Sequence, residues 1–364
     1  MEPRDVQRHR LRNSGLAGRP FAAAEDVVRW HGAMQAQDLT MAKWSVGQRR
    51  AGATVDRELN DALARGAIVR THVLRPTWHF VAGEDLRWLL ALTGPRVQQR
   101  NRRRYEELGL DERTLGRCRE LIASELTGGH QLTRKEIAAL LESAGIDTSG
   151  QRMPYILMDC ELEGVMCSGG LRGTQPTYAR VDERVAPGSA FDRDEALVEL
   201  ARRYLTSHGP ATVGDLRWWS GLTVADIRNA LDGLGSDVAS ATIEDHVFWS
   251  TTPTNGHAWT VGAAHLLQAY DEFVVGYSGS RYFGDPRAAT SRAAWSDRSL
   301  PSGVVLMDGQ LAGHWRRRIS KALVAVEVVA YEEPSRREVR ALEIAASELG
   351  RFLGREATLE VSAL

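Results

Sequence analysis

Two glutamines one residue apart, Gln35 and Gln37 in Met34-Gln35-Ala36-Gln37-Asp38, are the side chains here best suited to chemistry without charge. On an α-helix, residues i and i+2 point roughly 200° apart and could not share a target. On extended or turning backbone, alternate side chains lie on one side and both amides could converge. The segment sits between a helix-like run ending Val28-Arg29-Trp30 and an amphipathic run around Trp44, so a short inter-helix link is expected. Each amide offers an acceptor oxygen and two donor hydrogens, enough to hold a water and a sugar together. Amides are poor bases, so their contribution would be orientation and electrostatics. The adjacent Asp38 has two readings: a general base, and the N-cap of a helix opening at Leu39-Thr40.

Other chemistries find less support. Cys118, Cys160 and Cys167 are odd in number and lack C-x-x-C spacing, which argues against disulfides, structural zinc or an iron–sulfur cluster. His31, His72, His79, His257, His265 and His314 are scattered, with no H-E-x-x-H helix, so no metal is expected. Lys43, Lys135 and Lys321 are the only lysines, leaving few amines for a Schiff base. Arginine supplies nearly all positive charge, and its fork suits phosphate. Arg96, Arg100, Arg102, Arg103 and Arg104 cluster, as do Arg316, Arg317 and Arg318, although the net charge is −1. Each cluster also reads as a solvated face. The hydrophobic fraction of 43% and charged fraction of 26% are those of a soluble globular chain. No apolar run reaches the roughly 20 residues of a membrane span, and the charged N-terminus carries no secretory signal. A cytoplasmic location is expected.

The elements that must position the glutamines repeat one pattern. Residues 1–30 read as helical, Met41–Arg50 as a second helix, and Thr54–Arg65 as a third. Residues 68–81 follow as a strand pair with Pro76 at a bend. Along its second strand Arg75, Thr77 and His79 share one face and Trp78 and Phe80 the other. This is the helix–helix–wing order of a winged helix. A helical, arginine-rich run covers 84–127. Thr133 and Glu136 then stand in capping-box spacing, Arg152–Glu163 is a helix, and residues 165–178 form a hairpin. Helices at 195–207, 213–219 and 223–234 precede a strand-like 238–250. Three such units at roughly 70–100 residue intervals suggest tandem duplication.

From residue 257 short strands predominate. Ala269–Tyr277 is strand-like and Ser278–Pro286 a polar loop. Gly303–Met307, Asp308-Gly309 and Gln310–Arg317 form a hairpin whose Asp-Gly fits a type I′ turn. Ala322–Tyr331 is an apolar strand, Arg336–Leu353 a helix and Ala357–Val361 a last strand. The expected fold is α+β, with winged helices at 1–95, 96–185 and 186–256 and a barrel-like β-domain at 257–364.

The chain resembles the winged-helix DNA glycosylases of the AlkZ/YcaQ type. The resemblance rests on Met34-Gln35-Ala36-Gln37-Asp38 and Arg70-Thr71 with Leu74-Arg75-Pro76-Thr77-Trp78-His79-Phe80. It extends to Tyr270-Asp271-Glu272-Phe273-Val274-Val275-Gly276-Tyr277 and Leu306-Met307-Asp308-Gly309-Gln310 with Gly313-His314-Trp315-Arg316. It implies three tandem winged helices and a β-barrel arranged as a C around DNA. It implies excision of N7-alkylated purines, including bulky adducts and interstrand crosslinks, often in antibiotic self-resistance. Gln35 and Gln37 match the Gln-x-Gln branch and are the implied catalytic residues; the other branch has Gln-x-Asp.

An N7-alkylguanine is already cationic, so its departure needs little protonation. Gln37 is then expected to orient the attacking water and Gln35 to contact water or deoxyribose, with Asp38 and His79 as support. Expected DNA contacts are Arg75, Thr77, Trp315, Arg316 and Arg318. Arg281, Tyr282 and Phe283 have two readings, a minor-groove wedge and a surface loop without contact. The partner is double-stranded DNA carrying alkylated purines; a monomer is expected, without cofactor, metal or membrane. Two rival classes stand beside this reading: a non-enzymatic DNA-binding protein, and a nuclease or other metal enzyme.

Overall fold

The computed structural model describes residues 2–251, 262–294 and 303–364, with no side-chain description for 292–294. His257 and the expected boundary at 256/257 lie outside the described residues. The chain opens with α1 (Pro3–Asn13) and α2 (Ala24–His31). The region expected as continuous helix is broken between them, because Gly15 and Gly18 take φ of 76° and 84°. Next come β1 (Met34–Gln35), α3 (Leu39–Gly47), α4 (Asp56–Ala64), and the hairpin β2 (Ile68–His72) and β3 (Trp78–Ala82). Helix α5 (Leu86–Glu107) runs through position 95 without interruption.

The second unit comprises α6 (Glu112–Glu125), β4 (Gln131–Thr133), α7 (Arg134–Ser143), α8 (Arg152–Leu162), β5 (Met166–Arg172), β6 (Gln175–Arg180) and the short α9 (Val181–Arg184). Thr133 and Glu136 make the reciprocal capping box that their spacing predicts. The third comprises α10 (Arg193–His208), α11 (Val213–Ser220), α12 (Val224–Leu234), β7 (Val238–Ile243) and β8 (His246–Thr251).

Strand order exposes the repetition. The first sheet runs β1-β3-β2 and the second β4-β6-β5, so the short strand between helices pairs with the hairpin's second strand each time. In the third unit Ala211 makes a single antiparallel bridge to Trp249 of β8, a residual form of the same pairing. Each unit is thus helix, short strand or bridge, helix, helix, hairpin.

The C-terminal part holds β9 (Ala264–Gln268), α13 (Glu272–Val275), α14 (Ala288–Ala294), β10 (Gly303–Met307), β11 (Gln310–Ile319), β12 (Leu323–Ala330), α15 (Arg336–Leu353) and β13 (Glu356–Ala363). Two expectations are corrected here. Among the described residues the strands form an open sheet, β13-β12-β11-β10-β9, with β9 and β13 as its two edges, and no closed barrel. The last strand returns parallel to β12 after α15, extending one edge, and Leu342, Leu349 and Phe352 of that helix cover the face bearing Val324, Val326 and Val328. Residues 269–277 are a turn and short helix, not a strand, because the Asp271 carboxylate accepts the Phe273 N–H at 3.0 Å and caps α13.

The units share cores. Val28, Met34, Trp44 and Phe80 of the first unit lie in one apolar cluster with Trp315, Val326 and Phe352 of the C-terminal part. Val69 and Val81 pack with Leu89 of α5 and with Leu200, Trp219 and Ile227 of the third unit. Buried Arg49 forks onto Asp271 at 2.7 and 2.9 Å, tying the end of α3 to the start of α13. The first unit is therefore held from both sides.

Candidate active site

Strand β1 has only two residues, and it pairs with β3 so that Met34 stands opposite Phe80 and Gln35 opposite His79. The Ala36 N–H extends the pairing by donating to the Trp78 carbonyl at 2.7 Å. The chain then leaves the strand, and Asp38 caps α3 by accepting the Met41 N–H at 3.2 Å. Neither glutamine is helical. Gln35 is buried and Gln37 exposed.

Gln35 is held at both ends. Its side-chain Oε1 accepts from Arg75 Nη2 at 3.1 Å. Its backbone N–H donates to Glu272 Oε1 at 2.5 Å. Glu272 is fully buried and also accepts from Trp219 Nε1 at 2.8 Å, with His208 Nε2 at 3.2 Å. Burial alone would raise the Glu272 pKa; hydrogen bonding and attraction from His208, the Gln35 N–H and Arg75 hold it below the usual carboxylate range. Carboxylate Glu272 thus joins β1, α10, α11 and α13 beneath the first glutamine.

Gln37 occupies the turn that follows. Arg70 pins that turn, donating from Nε to the Ala36 carbonyl at 2.8 Å and from Nη2 to the Gln37 carbonyl at 3.4 Å. The guanidinium lies 4.2 Å from the Trp78 ring centroid, which fixes its plane. Both sides of Asp38 are occupied: one oxygen caps α3, and Oδ2 accepts from Arg317 Nη2 at 2.6 Å. The helix-cap reading of Asp38 is satisfied, and the Arg317 pair brings β11 against the motif.

His79 is fully buried, with Nδ1 2.8 Å from the Thr77 carbonyl and Nε2 without a hydrogen-bond partner. A carbonyl can only accept, so Nδ1 carries the proton and Nε2 presents a lone pair. Burial, then the charge of Arg75, pushes the imidazole well below its ordinary pKa, so it is neutral near pH 7. Burial likewise lowers the Arg75 pKa against the pull of Glu272, with Arg100 and Arg281 adding to the lowering.

Gln35, Arg75 and Thr77 line one open cavity of about 700 Å³ together with Arg96, Arg100 and Arg217. No carboxylate is among the lining residues. Arg96 is spent on the Gly221 carbonyl at 2.9 Å, whereas Arg100 and Arg217 are exposed and pair with no carboxylate among the described residues. Four guanidinium groups beside one buried amide give the cavity a positively charged lining.

Other expected contacts fall elsewhere. Trp315 is fully buried and donates Nε1–H to the Leu267 carbonyl at 2.9 Å, so it cannot touch DNA. Neighbours on a strand face opposite sides, and the inward place of Trp315 sends Arg316 and Arg318 outward. Both are exposed, and Arg318 pairs with Glu327 at 2.9 Å. The loop that reads either as a wedge or as a surface loop without DNA contact is tied to α1, where Gln7 Nε2 donates to the carbonyls of Arg281 at 3.2 Å and Phe283 at 3.0 Å. Tyr282 packs against the cluster of Leu11, Leu16 and Phe273, and Phe283 against Phe248 with 4.9 Å between ring centroids. Their apolar faces already have partners, which is why neither projects as a wedge. Arg281 is half-buried and donates to the Tyr277 carbonyl at 3.1 Å.

Arg217 and Glu272 were not among the expected site residues, and Arg96 and Arg100 stood only in an arginine cluster that reads as phosphate-binding or as a solvated face. The i,i+4 spacing of Arg96 and Arg100 is a usable signal, since it puts both on one face of α5. Arg102 and Arg103 pair instead with Glu106 and Glu107 on the same helix. Nothing local marks Glu272, whose role depends on a backbone N–H 237 residues away.

Comparison with known proteins bears on this geometry. The family model described as "DNA glycosylase AlkZ-like" matches residues 28–352, from the helix preceding the glutamines to the last helix. Among solved structures, the Streptomyces sahachiroi DNA glycosylase AlkZ superposes with a TM-score of 0.74 at 22% identity, covering 99% of each chain. A search of curated protein sequences gave no match. At that identity the structural likeness speaks for the fold, and the family match speaks for the activity. The chain belongs to the AlkZ-like DNA glycosylases, and it is a base-excising DNA repair enzyme.

Proposed function

We propose that this glycosylase hydrolyses the N-glycosidic bond of N7-alkylated purines in duplex DNA, bulky guanine adducts and crosslinks included. The observation that carries the reading is the Gln35 amide, fixed by Arg75 in an open cavity with four arginines and no carboxylate in its lining. With no acid in the lining to protonate a departing base, the site suits a purine that is already cationic, and the arginines serve the flanking phosphates. The repeated order of helices, short strand and hairpin supports three winged-helix modules gripping the flanking duplex, in the manner of other winged helices.

In this reading Gln35 contacts deoxyribose or water, and Gln37, on its pinned turn, orients the attacking water. Neutral His79 stands cross-strand from Gln35 with an open Nε2 lone pair and supports the same polar region. Asp38 acts through Arg317 and the helix cap. The open cavity also suits an adduct that cannot be flipped into a closed pocket.

The test is single-turnover incubation with duplex DNA carrying N7-methylguanine, without added metal, followed by alkali. Abasic sites that persist until the alkali step are expected. Gln35→Ala and Gln37→Ala should each lower the release rate by about 10²-fold, the scale of losing one preorganised polar contact. Duplex affinity should be retained in both. Strand breaks before alkali, or full activity in the double variant, would overturn the proposal.

A further inference from the structure

The cavity beside Gln35 has a second wall that the glycosidic chemistry does not use. Trp218 on α11 is 48% exposed and Tyr270, just before α13, is 37% exposed; both line it with Pro76, Leu222 and Val275. The neighbouring Trp219 is fully buried, so α11 turns one indole into the core and leaves the next in the cavity. The exposed indole is not loose. Its Nε1–H donates to the Val275 carbonyl at 3.1 Å, fixing one edge of the ring. Arg75 lies 5.8 Å from the ring centroid with the same guanidinium that holds the Gln35 amide. One guanidinium therefore separates the Gln35 amide from an anchored, half-bare aromatic face.

From this arrangement we propose that Trp218, with Tyr270, forms a stacking subsite for a flat aromatic arm on the alkylated purine. The proposal rests on the N7-purine reading above and adds the class of adduct preferred. Three observations select an arm over the purine alone. About 700 Å³ lies within the range of sites for drug-sized ligands and exceeds what one base would fill. Five apolar or aromatic residues line the cavity, whereas sugar and phosphate would need only the arginines. The ring is anchored by its edge, which leaves a face for stacking, the geometry aromatic partners favour.

The experiment compares two duplexes, one with N7-methylguanine and one with N7-anthracenylmethyl-guanine, under single-turnover conditions with Trp218→Ala, Trp218→Phe and wild type. Trp218→Ala should lower the preference for the anthracenyl substrate over the methyl substrate by about tenfold, within what one aromatic contact contributes. The loss should appear in the half-saturating enzyme concentration rather than in the maximal rate. Trp218→Phe should restore most of it, and anthracene emission should be quenched on binding by wild type but less by Trp218→Ala. An equal loss on both substrates, or none on either, overturns the subsite. Failure of wild type to release either base would instead sink the N7-purine reading.

Discussion

The first and third hairpins occupy equivalent places in their units and end in opposite environments. In β2–β3 Ile68, Val69, Thr71, His72, Phe80 and Val81 are all buried. In β7–β8 residues 239–242 are exposed, and Val247 is 48% exposed. The local sequences foreshadow this, since Phe80-Val81-Ala82 is a continuous apolar run, as in strands covered on both faces. The larger cause is position. The first hairpin is flanked by the C-terminal sheet through Phe80 and by the third unit through Val69 and Val81. One architecture thus serves as scaffold in one copy and as surface in another, and the glutamines sit on the scaffold copy.

The largest test of that contrast is Phe80→Ala. Phe80 faces Met34 across the β1–β3 pair and is buried beneath the strand that carries Gln35. Deleting the ring should cost about 3–5 kcal/mol, the range for fully buried aromatics, read from urea unfolding at neutral pH. A cost under about 1 kcal/mol would show that the first hairpin is not the scaffold argued for here.

Much of this was legible in the sequence wherever local rules decide. The two-residue spacing of the glutamines demanded non-helical backbone, and both lie off helix. The Asp308-Gly309 pair takes positive φ of 53° and 79°, as a type I′ turn requires. What could not be read depends on distant partners. Ala269–Tyr277 looked like a strand by composition, yet Asp271 caps a helix there while Arg49, more than two hundred residues earlier, grips its oxygens. Closure into a barrel also depends on where the last strand pairs, and no local signal places β13 parallel to β12. Trp315 is a different case: period-two alternation along β11 separates it from Arg316 and places the apolar member of the pair in the core.

A second effect follows from what the inner region buries. His79, His31 and His265 all have pKa values lowered chiefly by desolvation, His265 to about 4. In the unfolded chain each would take up a proton near pH 6.5. As pH falls below 6.5 the unfolded state therefore gains protons that the folded state refuses, and stability falls until the folded groups themselves protonate. For His265 that window runs from 6.5 to about 4, worth about 3 kcal/mol at its lower end. Urea midpoints measured from pH 7 to 4 should decline, and His265→Gln should flatten the decline. An unchanged slope in His265→Gln would remove the imidazole from this account.

The smallest effect gives the sharpest form of the comparison, because the same substitution can be made in both hairpins. Val81→Ala on β3 removes two methyl groups from a fully buried site and should cost about 2 kcal/mol, transfer and cavity combined. Val247→Ala on β8 removes the same groups from a side chain already half in water. It should stay within about 0.5 kcal/mol, since only strand propensity and partial burial are lost. Chemistry and secondary structure are matched, so any difference reports tertiary cover alone. Equal costs at the two positions would mean that the third hairpin is covered in solution by something beyond the contacts described, and the assignment of scaffold and surface would have to be redrawn.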